Sequence, residues 1–213
     1  MNNACCDLGS ELVKKKKILF ESDNFFVMPT VGPIDTEGYL LICSKKHYVG
    51  ICGTPVKLYP ELKEVTNYVE SILNETYGIP TIAFEHGPLI GNCSGGNCLD
   101  HSHLHILPLE RIIMEPTMLK IFRGLNLKNS MKIQKTRGFE DLSQMWEKQS
   151  TSYFFVRENS GSEYTTEVNM HLPPQYIRQI VAESKNSSQW DWKKYPGQDV
   201  VNKTMDTLVG KFH

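Results

Sequence analysis

No run of the 213-residue chain approaches the ~20 consecutive apolar residues that a membrane-spanning helix needs. The lysine run Lys14-Lys15-Lys16-Lys17 is preceded by no apolar stretch of the secretory kind, so a cytoplasmic protein with no membrane contact is the expectation. Net charge is equally scarce. Twenty-three Lys and Arg stand against 24 Asp and Glu, and attraction to a polyanion therefore has to come from a local patch. Also missing is the cysteine spacing of a disulfide scaffold. Cys5 and Cys6 are adjacent, Cys43 and Cys52 lie in or near an apolar strand, and Cys93 and Cys98 flank Ser-Gly-Gly-Asn, which predicts reduced thiols. There is no internal repeat and no low-complexity tract. What remains is ordinary globular composition, 40% hydrophobic and 22% charged, in a chain long enough to bury one good core or two modest ones.

The first half reads as strands around one helix. Ile18 to Ser22 and Phe25 to Pro29 are short strands about the polar turn Asp23-Asn24, and Gly38 to Cys43 is apolar enough to be buried on both faces. Leu62, Val65, Val69, Ile72 and Leu73 follow the 3.6-residue period, with Pro60 suited to the first turn and Gly78 to the stop. Ile79 to Glu85 and Leu99 to Leu109 are further strands, separated by a Gly-rich loop from His86 to Asn97. Sequential strands joined by turns, without strand-helix alternation, predict an α+β fold with a mainly antiparallel sheet and one amphipathic helix packed on it.

The second half changes character. Thr117 to Arg137 holds Lys120, Arg123, Lys128, Lys132, Lys135 and Arg137 with no acidic residue, the one candidate segment for RNA. Ser152 to Arg157 and Glu163 to Val168 predict a hairpin, Pro173 to Val181 a helix start and Gly197 to Val209 a second helix. A soft boundary near residues 110 to 120 divides a first unit, 1–115, from an α/β extension, 116–213, which can still share the same sheet system.

Three of the seven histidines stand at His101, His103 and His105. Alternate residues of a strand point to one face about 6.6 Å apart, so these imidazoles share a side while Ser102, Leu104 and Ile106 pack on the other. Two chemistries suit such a face. His-x-His on a strand can supply two zinc ligands. An imidazole can instead attack phosphorus, because a reference pKa of ~6.5 leaves it largely neutral and nucleophilic near pH 7.

The segment Asp100-His101-Ser102-His103-Leu104-His105-Ile106-Leu107 resembles the signature of the histidine triad superfamily, His-φ-His-φ-His-φ-φ with φ apolar, with Ser102 in the first apolar place. Gly38 to His47 is similar to the family's strand ending in Pro-Lys-Lys-His, with Ser44 for the proline, and the likeness spans roughly residues 5 to 110. The resemblance implies a hydrolase acting at a nucleotide α-phosphate, on a dinucleoside polyphosphate, a nucleoside phosphoramidate or a related conjugate. In that scheme His103 is the nucleophile that forms a nucleotidyl-histidine intermediate, His101 and His105 are its helpers, and no metal is required. It further implies that His47 approaches the phosphate. Asn97 and Cys98 fall where relatives have Gln and Ser or Thr, Asn97 as a phosphate donor and Cys98 as a poor hydroxyl substitute. The longer loop leaves Glu85 or His86 as candidates for the missing substrate contact.

Alternatives within and outside the family are a nucleotidyltransferase and a non-catalytic nucleotide- or RNA-binding module. Relatives that hold a structural zinc use a spaced cysteine pair; Cys5 beside Cys6 chelates poorly, which makes zinc on these with His47 and His101 the weaker expectation. Many compact family members are homodimers, and the extension can replace that contact. Its Pro173-Pro174-Gln175-Tyr176-Ile177-Arg178 and Trp190-Asp191-Trp192 stretches are distinctive but carry no chemistry that the sequence itself assigns.

Overall fold

The computed structural model describes residues 17–87, 101–123, 134–135, 138–148, 152–159, 161–168 and 172–213. Eight strands, β1 (Phe20–Glu21), β2 (Phe25–Pro29), β3 (Leu40–Ser44), β4 (Thr81–Gly87), β5 (His103–Pro108), β6 (Gln134–Lys135), β7 (Ser152–Glu158) and β8 (Glu163–Val168), form one sheet in the order β1-β2-β3-β5-β4-β7-β8-β6. Every neighbouring pair is antiparallel. Among the described residues, five α-helices accompany it: α1 (Tyr59–Tyr77), α2 (Arg111–Arg123), α3 (Phe139–Lys148), α4 (Tyr176–Ser184) and α5 (Gln198–Leu208). The fold is α+β. Among the described residues, no helix is long and apolar enough to cross a membrane.

Helix α1 matches its sequence pattern closely. Pro60 sits in its first turn, and Gly78 ends it in the left-handed region at φ 68°, donating its N–H to Asn74 O at 2.9 Å. A side chain would strain that conformation, so glycine is the fitting stop. The buried stripe Leu62, Val65, Val69 and Leu73 packs on Phe25, Val27, Leu40, Ile42, Ala83, Leu104, Ile106 and Phe155 of the sheet. Each fully buried aliphatic side chain there contributes about 1.5–3 kcal/mol. The helix is also tied down by charge: Arg157 of β7 donates to Glu70 and Asn67 of α1 and to Glu163 of β8.

Helices α2 and α4 cover the other face. Met114, Met118, Ile121, Ile177, Ile180 and Val181 pack there against Ile82, Phe84, Leu107, Phe154 and Val156. The two stretches that differ in sequence character thus meet in a single sheet, with β7 beside β4 in the register Phe84↔Val156 and His86↔Phe154. The boundary near residues 110 to 120 overlaps α2. Helices α2 and α3 had no counterpart in the sequence reading. Pro116 lies inside α2, and the basic composition from Thr117 onward masks the buried Met114, Met118 and Ile121. Of the basic segment, Lys120 is exposed on α2, while Lys128, Lys132 and Arg137 lie outside the described residues.

Candidate active site

Alternation along β5 creates the site. Leu104 and Ile106 face the α1 core, so His103 and His105 face the α4 side, where β3 places Cys43 opposite His103 and Leu41 opposite His105. His101 precedes the strand. Its neighbour Ser102, at the place where relatives are apolar, is buried with its hydroxyl 3.3 Å from Thr54 Oγ1 and its N–H on Tyr48 O, so its polarity is satisfied.

A chain of hydrogen bonds sets the ring orientations. His103 Nδ1 lies 2.7 Å from His101 O, and His101 Nε2 lies 2.7 Å from Ser44 O. A carbonyl oxygen only accepts, so each of these ring nitrogens carries the proton; in neutral His103 the lone pair is therefore on Nε2. His105 Nδ1 lies 3.0 Å from Tyr39 Oη, and the His105 ring stacks on Phe84 with centroids 4.8 Å apart. The rings of His103 and His105 meet edge to face at 4.8 Å.

Burial sets the charge state. Desolvation holds His103 below the ordinary histidine range against the opposing bond to the His101 carbonyl, with the His101 and Arg178 charges adding to the fall. His105 is pushed well below by burial, then by His103 and Arg178. His101 is lowered by burial and by His47, against the pull of the Ser44 carbonyl. Neutral imidazoles at pH 7 follow, the form that a nucleophile requires.

The other residues named from the sequence divide. His47 comes to His101, ring against ring at 5.4 Å. His86 lies on the same strand side as Phe84 and meets Phe154 edge to face at 4.7 Å; desolvation pushes its pKa down to about 4, and its Nε2 is buried without a hydrogen bond. Glu85, the other candidate for a substrate contact, points to the opposite side of the sheet from His86. There it accepts from Ile51 N–H at 2.8 Å and from the Tyr153 hydroxyl, and burial raises its pKa to about 8. It braces the Ile51–Gly53 turn. Asn97, Cys98 and the glycines before them lie outside the described residues, as do Cys5 and Cys6 of the zinc alternative. Among the described residues, no group of three His, Cys, Asp or Glu side chains is placed to hold a metal ion.

Two residues at the site had no signal in the sequence. Tyr39 reads as one more apolar residue of its strand. Arg178, 139 positions later, donates to the Tyr39 hydroxyl at 3.3 Å. No local pattern links residues so far apart.

No family model matches the sequence, and no curated protein matches it. Among solved structures the chain is similar to histidine triad proteins. One is a hypothetical histidine triad nucleotide-binding protein from Sulfolobus tokodaii, at 17% identity and TM-score 0.42, over 67% of this chain and 90% of that one. A second is a HIT family protein from Bacillus anthracis, at 13% identity and TM-score 0.43, over 52% and 76%. A third is yeast Ap4A phosphorylase Apa2 in complex with Ap4A, at 11% identity and TM-score 0.47, over 90% and 77%.

Proposed function

We propose that this protein is a histidine triad enzyme that cleaves a nucleotide at its α-phosphate, with His103 as the nucleophile and water as the final acceptor. The observation that carries this reading is the 2.7 Å bond from His103 Nδ1 to the carbonyl of His101, which leaves the Nε2 lone pair available. In the first displacement Nε2 forms a bond to the α-phosphorus, and the bond from phosphorus to the leaving oxygen or nitrogen breaks with its electron pair on that atom. In the second, a water oxygen bonds to phosphorus and gives up a proton to solvent, the phosphorus–nitrogen bond breaks, and the pair returns to Nε2. His105 stands beside the nucleophile, the two rings 4.8 Å apart between centroids, and a transition state whose charge rests on phosphoryl oxygens is stabilised by a donor positioned there, while His101 helps by orienting His103 through its carbonyl. Dinucleoside polyphosphates and nucleoside phosphoramidates are the substrate classes this scheme fits. Retention of His105 supports hydrolysis over transfer, because some transferase relatives carry Gln in that place.

The test is turnover of diadenosine polyphosphates and adenosine phosphoramidates by the native protein, His103→Ala and His103→Gly, with the native protein quenched in alkali during turnover. The reading expects loss of roughly a thousandfold or more in kcat for both variants. It also expects a nucleotide adduct on His103 in the quenched native enzyme. Undiminished turnover by the folded variants overturns it.

A further inference from the structure

The two distinctive stretches of the second half pack together around one buried cation. Arg178, on α4, is 5% exposed, and its guanidinium donates to four neutral oxygens: Gly32 O, Trp190 O at 3.2 Å, Gln175 Oε1 at 3.2 Å and Tyr39 Oη at 3.3 Å. Gln175 is itself locked. It sits in the left-handed region at φ 60°, its Nε2 donates to Asp191 Oδ1 at 3.2 Å, and its Oε1 also lies 3.4 Å from Trp192 N. The Arg178 guanidinium lies over the Tyr39 ring, 5.4 Å from its centroid, so both the face and the hydroxyl of Tyr39 are held by the same side chain.

We propose that Arg178 is a positioning residue for the histidine site, acting through Tyr39 to hold His105 in its Nε2–H tautomer. The geometry supplies the direction. Arginine only donates, so the phenol oxygen accepts from Arg178; in the arrangement proposed the phenol hydrogen is donated to His105 Nδ1, 3.0 Å away. An Nδ1 that accepts leaves the proton of the neutral ring on Nε2, where it is a donor beside the His103 ring, 4.8 Å away between centroids. The Pro173 to Arg178 and Trp190 to Trp192 stretches then have a chemical role: they build the clamp that presents Arg178 to the histidine strand. The effect on turnover rests on the function proposed above, whereas the tautomer does not.

The experiment is a long-range ¹H–¹⁵N spectrum of the histidine rings in the full chain, native and in Tyr39→Phe, Arg178→Met and Arg178→Lys. Native His105 is expected as Nε2–H. Tyr39→Phe and Arg178→Met are expected to shift it to Nδ1–H or a mixture, and Arg178→Lys, which keeps a donor, to restore the native pattern in part. Tyr39→Phe preserves the ring and decides the matter if Arg178→Met does not fold. On a substrate turned over by the native enzyme, kcat is expected to fall about tenfold to a hundredfold, with KM much less affected, as when the partner orienting a working imidazole is lost. Native His105 as Nδ1–H, or an unshifted Nε2–H in Tyr39→Phe, overturns the proposal. A shifted tautomer alongside full turnover by His103→Ala would leave Arg178 in place and remove only the enzymatic reading.

Discussion

His101 orients His103 through its backbone rather than its ring: the His101 carbonyl lies 2.7 Å from His103 Nδ1. Replacing the His101 side chain keeps that bond, whereas its own ring bond to Ser44 O is lost. The two histidines therefore act on different parts of the site, and their charge states give the first prediction.

Activity should persist into mild acid. Burial, more than any other influence, lowers the pKa of His103, so protonation silences this proposed nucleophile only below the ordinary value of 6.5. A profile of kcat/KM against pH is expected to stay level near neutrality and to fall on an acid limb centred below 6.5. A limb centred above that value contradicts the assignment of His103.

Stability should also weaken in acid, through His86. Its folded pKa, depressed to about 4 from 6.5, means that the unfolded chain binds the proton more tightly. The contribution is complete above 6.5 and disappears as pH falls through about 4, amounting to about 3 kcal/mol from a shift of that size. Urea midpoints at pH 7 and pH 4.5 should differ less in His86→Phe than in the native protein.

Glu85 acts in the opposite direction. Its folded pKa is raised to about 8 from 4.5, so its stabilising contribution is complete below 4.5 and declines as pH climbs through 8. Glu85→Gln mimics the protonated carboxyl. The native protein is expected to lose about 1.4 kcal/mol per pH unit relative to that variant across the window between the two values. Chemical denaturation at pH 6, 7 and 8 reads it directly; parallel curves would show that Glu85 is ionised when folded.

Arg157 bridges helix and sheet with its partners almost wholly buried, Glu70 at 2.9 Å and Glu163 at 2.7 Å. Arg157→Met leaves two carboxylates without their cation, a loss of about 3–5 kcal/mol. Arg157→Met combined with Glu70→Leu and Glu163→Leu should recover part of it. The comparison is one of urea midpoints at pH 7.

Local order was legible wherever neighbouring residues decide it. The spacing of Leu62, Val65, Val69 and Leu73 specifies a helical stripe, and His103 with His105 a shared strand face, because periodicities of 3.6 and 2 are properties of the backbone itself. Helix α2 escaped the same reading since its buried methionines are interrupted by Pro116 and by polar residues.

Partners far along the chain were settled only by folding. Glu85 and His86 are adjacent, yet the strand sends one to Tyr153 and the other to Phe154, and nothing local says which side holds the histidines. Arg178 reaches Tyr39 because β7 docks beside β4 and brings α4 over the histidine face. The chemistry of three imidazoles was written in a short stretch of residues; their protonation and orientation depend on burial and on donors gathered from across the chain, which exist only once the sheet has closed around them.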